Sequence, residues 1–224
     1  MVRWTGVIGK NRMDTKILIA SARSGSNWFE YSYIPDRVND LGEFLNKDWK
    51  YWTERRNNSF NKDIIKKLDN DTLSSKIKFL ETERQQGREY FYKLFPSQIY
   101  DSKKDYREWL YNFYKNDKVY YLQRNNKWLQ FLSYVYQNKT NWENPVPLDN
   151  ETIVSTKVTC TKEDVNNWID MNSRDMSLDM TRFKNVEYHF YEDLDLPSKT
   201  VKVSNHINYE EQIENAKEFK WMIL

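Results

Sequence analysis

Cysteine is almost absent from this chain. Cys160 stands alone among 224 residues, so no intrachain disulfide can form and stability must come from packing. Histidine is nearly as scarce: His189 and His206 are the only two. Two distant histidines and one cysteine offer no ligand spacing for zinc, and no metal is expected. Five glycines and five prolines are too few for a flexible linker or a low-complexity tail. No apolar run approaches the ~20 residues of a membrane span. The first fifteen residues hold no apolar h-region, so neither a signal peptide nor an anchor is expected, and the expected location is the cytoplasm. Net charge is only +2, which gives no bulk attraction for nucleic acid. Two catalytic signatures are also missing. Without G-x-x-x-x-G-K-[ST] the chain is no ordinary ATPase or GTPase. Without G-x-S-x-G, Ser24 has no nucleophile elbow to sit on.

What is present is aromatic. Charged residues make up 30% and mean hydropathy is −0.94, values that alone would suit a disordered chain. The 16% of Phe, Trp and Tyr argues for a core built from rings, because disordered chains are poor in them. The length suits one sizeable α/β domain spanning residues 1–224. Apolar and β-rich runs at 16–20, 89–95, 119–122 and 186–191 predict strands. Helical spacing predicts helices over 26–33, 49–86 with turns at Asn57-Asn58 and Asn70-Asp71, 103–114, 127–137 and 208–220. Thr161 and Asp164 have the spacing of a capping box that opens one more helix. Alternation of this kind predicts a three-layer α/β/α domain around a central parallel sheet.

The most informative stretch is Lys16 to Trp28. A buried strand breaks at Ser21-Ala22-Arg23-Ser24-Gly25, and a helix begins near Ser26. A strand, a tight glycine turn and a helix N-terminus together cradle an anion, through the N–H groups of the first turn and the positive end of the helix dipole. Arg23 adds charge, and Ser24, Ser26 and Asn27 add donors. Trp28 reads as a core residue beneath the loop.

Arg23-Ser-Gly-Ser-Asn-Trp28 resembles the 5′-phosphosulfate loop of sulfotransferases, which typically reads [KR]-S-G-[ST]-x-[WL] after the first strand. Three further segments follow in the family's order. Val119-Tyr-Tyr-Leu-Gln-Arg124, with a helix reaching Ser133, resembles the 3′-phosphate motif. There Arg124 and Ser133 stand nine positions apart, one more than in many members. Val186-Glu-Tyr-His-Phe-Tyr-Glu-Asp-Leu194 resembles a strand ending in Tyr-Glu-Asp-Leu. Asn208-Tyr-Glu-Glu-Gln-Ile-Glu-Asn215 resembles a Tyr-x-x-x-Ile-x-Asn helix. Residues 47–88 and 139–183 match nothing in the family.

The resemblance implies a P-loop-NTPase-like sulfotransferase architecture and an enzyme that moves a sulfuryl group from 3′-phosphoadenosine 5′-phosphosulfate to a hydroxyl acceptor, a carbohydrate or other small molecule, without a metal. It implies that Arg23, Ser24, Gly25, Ser26 and Asn27 hold the 5′ end of this donor, and Arg124 and Ser133 the 3′-phosphate. Arg23 is also expected to stabilise charge on the leaving phosphate oxygen. Glu43, in Leu41-Gly-Glu-Phe-Leu45, resembles the glutamate that serves as base in several carbohydrate and bacterial members, against the plainer reading of a solvated loop carboxylate. Glu30, a weaker alternative because it lies inside the first helix and reads also as a surface charge, and Lys93 are further candidates, while neither histidine matches the catalytic histidine of the steroid and phenol enzymes. Tyr191, Glu192 and Asp193 read as structural. Two other functions stay open: a kinase-like P-loop enzyme, disfavoured by the missing Lys-Ser/Thr pair, and a noncatalytic relative that binds nucleotide or a partner.

Overall fold

In the computed structural model the described residues are 15–33, 39–55, 59–68, 70–88, 90–100, 105–140, 157–194 and 209–223. The expectations placed on residues 34–38, 57–58, 144–147 and His206 lie outside them, as does the side chain of Trp28. Four strands form one sheet: β1 (Thr15–Ala20), β2 (Tyr92–Leu94), β3 (Lys118–Gln123) and β4 (Asn185–Phe190). They lie in the order β2-β1-β3-β4, and every pairing is parallel.

Side chains alternate across a strand, and β1 shows the consequence. Ile17 and Ile19 enter one cluster while Leu18 and Ala20 enter another, all four fully buried. The first face is covered by α2 (Trp49–Arg55), α3 (Ser59–Lys67), α4 (Leu73–Gln85) and α5 (Arg107–Phe113), through Trp49, Ile64, Ile77, Leu80 and Leu110. The second is covered by α1 (Ser26–Tyr33), whose Phe29 stacks on Tyr33 and meets Tyr120 edge-on. The chain is therefore an α/β protein with helices on both faces of a parallel sheet. A third cluster joins α6 (Lys127–Thr140) to α7 (Lys162–Asp175) through Phe131, Val135, Val165 and Trp168. Two short C-terminal helices, α8 (Tyr209–Gln212) and α9 (Lys220–Ile223), follow.

Local chemistry sets the boundaries. Thr161 and Asp164 form the expected capping box, with each side chain accepting from the other's backbone N–H. Thr72 caps α4 by accepting from the Ser75 N–H. The second strand is shorter than its apolar run suggested. Beyond Leu94, Pro96 lacks an N–H and opens a 3₁₀ turn, Pro96–Ile99.

The predicted C-terminal helix is a larger departure, since it breaks after Gln212. Ile213 bridges to Val158, and the Asn215 side chain accepts from Cys160 N–H at 2.8 Å and donates to Cys160 O at 2.7 Å. Asn215 thus copies a strand's pairing pattern. Tertiary bonds of this kind displaced a helix that local spacing favours.

Just before β2, the buried Glu83 of α4 accepts from Arg88 and from the Tyr90 hydroxyl. The Arg88 guanidinium, with help from Tyr90, holds the Glu83 carboxyl down at about 2, against the desolvation that opposes it. A carboxyl depressed in the folded state contributes stability above its unfolded pKa and loses it as pH falls through the folded value. Urea midpoints should therefore fall between about pH 4.5 and 2. Glu83→Gln should start lower and fall less across that window. Parallel acid profiles for the two proteins would refute the assignment.

Candidate functional site

The chain leaves β1 to pair β2 on one side, then crosses to β3 on the other. Loops that follow β1 and β3 therefore diverge at the carboxyl ends of the strands, where open parallel sheets bind ligands. Ala20 pairs with Leu122, so the Ser21–Gly25 turn and Arg124 emerge at the same edge.

The turn after β1 needs unusual backbone. Arg23 has φ of 62° and Gly25 φ of 81°. Ser24 N–H donates to Ser21 O at 3.2 Å, and α1 starts with Phe29 N–H donating to Gly25 O at 3.1 Å. Glycine is demanded at 25 for a second reason. A Cβ there would lie 2.3 Å from Tyr191 Cδ2, so the Tyr191 ring rests on the bare backbone. Ser24 is fully buried, and its Oγ has no hydrogen-bond partner among the described residues. An orphaned hydroxyl is costly in a core, and one in an anion-shaped turn suits a ligand oxygen.

Arg23 and Ser133, 110 positions apart, are brought together. Arg23 Nε donates to Ser133 Oγ at 3.0 Å, and Ser133 is buried on α6. Arg124 Nη1 reaches Arg23 O at 3.4 Å. The two arginines and the serine are thus one group. Arg124 also stacks over Tyr191, 4.7 Å from the ring centre, and its Nε lies 3.9 Å from Glu192 Oε1. Glu192 accepts from the N–H groups of Asn125 and Asn126, at 3.0 and 2.9 Å, just ahead of α6. Burial opposes its charge, but those two N–H groups and Arg124 hold its carboxyl below the ordinary range.

A second group gathers on the α1 side. Lys93, on β2, pairs with Leu18 and so points to the face that carries α1. Its ammonium donates to Asn27 Oδ1 and lies 3.4 Å from Glu30 and 3.7 Å from Glu43. Glu30 is buried rather than a surface charge. Glu43 is the more open of the two carboxylates, about a third exposed. Its loop is pinned along the outer edge of β2, where Leu41 N–H donates to Phe91 O and Lys93 N–H to Gly42 O. Asn46 and Gln98 donate to Glu43 Oε2. His189 stands apart on β4, against Glu187 and Phe29.

Sequence reasoning missed three members. Gln130 is buried on α6 and donates to Ser21 Oγ and Ala22 O. Lys127, one turn earlier, donates to Gln130 Oε1 at 3.2 Å, and burial lowers its pKa. Asp175 ends α7 and accepts from the Ala22 N–H. A buried glutamine in an aromatic helix was the only visible sign.

No family profile and no curated protein matches this chain. Among solved structures, a chain from work described as "Molecular and structural characterization of the PezAT chromosomal toxin-antitoxin system of the human pathogen Streptococcus pneumoniae" is 12% identical. The alignment covers 93% of this chain and 83% of that one, with a TM-score of 0.37. Likeness at that level carries no functional argument. Among the described residues no helix is long and apolar enough to cross a membrane.

The Tyr191–Gly25 contact gives a direct test. Gly25→Ala should cost about 1–2 kcal/mol for left-handed backbone and about 1–3 kcal/mol for overpacking. Adding Tyr191→Ala should relieve the overpacking and leave the backbone cost. Denaturation of the three variants checks it, and strict additivity of the two changes would show that the ring does not rest on Gly25.

Proposed function

We propose that this chain is a sulfotransferase, moving a sulfuryl group from 3′-phosphoadenosine 5′-phosphosulfate to the hydroxyl of a carbohydrate or other small acceptor. The observation that carries the reading is the turn after β1. A fully buried, unpartnered Ser24 Oγ sits there, and Arg23 in the same turn is bonded to Ser133 and Arg124 at the sheet edge. Glu43, on the far side of Asn27 and Lys93, supplies the carboxylate that the chemistry requires.

The residues divide the work. Ser24, Gly25, Ser26 and Asn27 receive the 5′ end of the donor, favoured by the first turn of α1. Arg124 and Ser133 take the 3′-phosphate, with Glu192 competing for Arg124. Bound there, the donor supplies the activated sulfuryl group, whose S–O bond to phosphate breaks as the bond to the acceptor oxygen forms. Glu43 accepts the acceptor's proton. Arg23 meets the negative charge that builds on the departing phosphate oxygen. Lys93 orients Glu43 by its charge.

Two measurements test this. Adenosine 3′,5′-bisphosphate should bind better than AMP, without magnesium, and Arg124→Ala should erase that preference. Losing a charged hydrogen bond of ~1.5–3 kcal/mol makes the expected loss roughly 10–150-fold. Calorimetry giving equal affinity for both nucleotides, or an ATP preference with obligatory magnesium, overturns the donor.

Glu43→Gln should leave bisphosphate affinity nearly intact and slow transfer by roughly 10²–10⁴-fold. Turnover equal to that of the unaltered protein would return Glu43 to a loop carboxylate. Tight binding with no transfer to any acceptor would favour a noncatalytic nucleotide-binding relative.

A further inference from the structure

One buried carboxylate holds both halves of the site. Asp175 is the last residue of α7 and only 1% exposed. Its Oδ2 accepts from the Ala22 N–H at 2.9 Å, across 153 positions, and its Oδ1 accepts from the Ser97 N–H at 2.9 Å, across 78. These residues belong to two different segments, one after β1 and one after β2. Ala22 leads into the turn of Arg23, Ser24 and Gly25. Ser97 sits beside Gln98, whose Nε2 donates to Glu43 Oε2 at 3.3 Å.

The bonding around these two backbones is nearly complete. Ala22 gives its N–H to Asp175 and its carbonyl to Gln130, so the turn has no freedom at its entrance. Gln98 is fixed at its other end, where Oε1 accepts from the Phe95 N–H at 3.2 Å. A carboxylate suits this junction because it alone accepts two amide protons from separate directions with no donor of its own. An asparagine would turn its NH₂ toward one of the two N–H groups. Burial raises the Asp175 pKa, while the two N–H groups, the Ser97 hydroxyl and the nearby Lys127 charge act to lower it. Placing a carboxylate there is expensive, and what it holds is the two amides together with the Ser97 hydroxyl.

We propose that Asp175 is a positioning residue that fixes the distance between the anion-binding turn and Glu43. The proposal rests on the reading of that turn as the donor site. Ligand in the turn is then felt at the Ser97–Gln98 segment, although neither residue belongs to it.

Amide hydrogen exchange resolved at Ala22 and Ser97 tests it, in the unaltered protein, Asp175→Asn and Asp175→Ser. The smaller serine variant guards against a fold lost to a donor clash, and circular dichroism checks each protein. Without ligand, both variants should exchange at least ~10-fold faster at Ala22 and Ser97, with α4 and β3 amides unchanged. Unchanged rates at the two amides, or a rise spread evenly over the molecule, overturn the proposal. With adenosine 3′,5′-bisphosphate, the unaltered protein should gain protection at both amides and the variants at Ala22 alone. Protection at Ser97 that persists in both variants also overturns it. If the nucleotide protects nothing in the unaltered protein, the donor reading falls. The ligand-free rates still decide whether Asp175 ties the two segments.

Discussion

A strand paired on both edges and covered on both faces has room for chemistry only at its ends. That constraint on β1 governs the rest of the molecule. Four consecutive residues, Ile17 to Ala20, are fully buried, so neither face of the strand can carry a polar group. The chain turns polar at Ser21, the first position beyond the sheet, and Arg23, Ser24, Ser26 and Asn27 follow. Each neighbouring strand delivers its own polar residues to the same edge, Arg124 after β3 and Ser97 and Gln98 after β2. The site is a product of register as much as of residue type, because a slip of one position would swap every face.

Charge at this edge is handled by local pairing rather than by solvent. Lys93 lies among two carboxylates and an amide, Arg124 between a ring and Glu192, and Asp175 between two N–H groups. Removing the partners of the buried Lys93 or Asp175 leaves an uncompensated charge in a poorly solvated place, which is more costly than the pair is stabilising. Such pairing holds side chains in fixed positions before any ligand arrives, so little reorganisation is left to oppose binding.

The sheet was legible in the sequence because its signals are local. The apolar runs of β1 and β3, the glycine turn and the Thr161–Asp164 box each depend on a few adjacent residues. The candidate site was legible in part for the same reason. Arg23, Ser24, Gly25 and Arg124 sit where a strand ends, and Glu43, Glu30 and Lys93 were each visible singly. Their meeting was not, since it depends on the 40–42 segment running along the outer edge of β2. Asp175 was invisible because its role depends on backbone amides far away in sequence, and amides have no residue type. The C-terminal helix misled for a related reason. Its spacing is helical, yet Asn215 found a better partner in the backbone of Cys160.

Strand order also carries a consequence for biosynthesis. The central strand is made first among the four, and both of its neighbours come later in the chain. Until Tyr92 to Leu94 have left the ribosome, the apolar residues of β1 have no edge to pair with. The second edge stays open until Gln123 is made, and the sheet is complete only at Phe190. Parallel pairings this distant close late and slowly. For much of its synthesis the nascent protein therefore carries an apolar strand with an unpaired edge, the kind of segment through which folding intermediates aggregate.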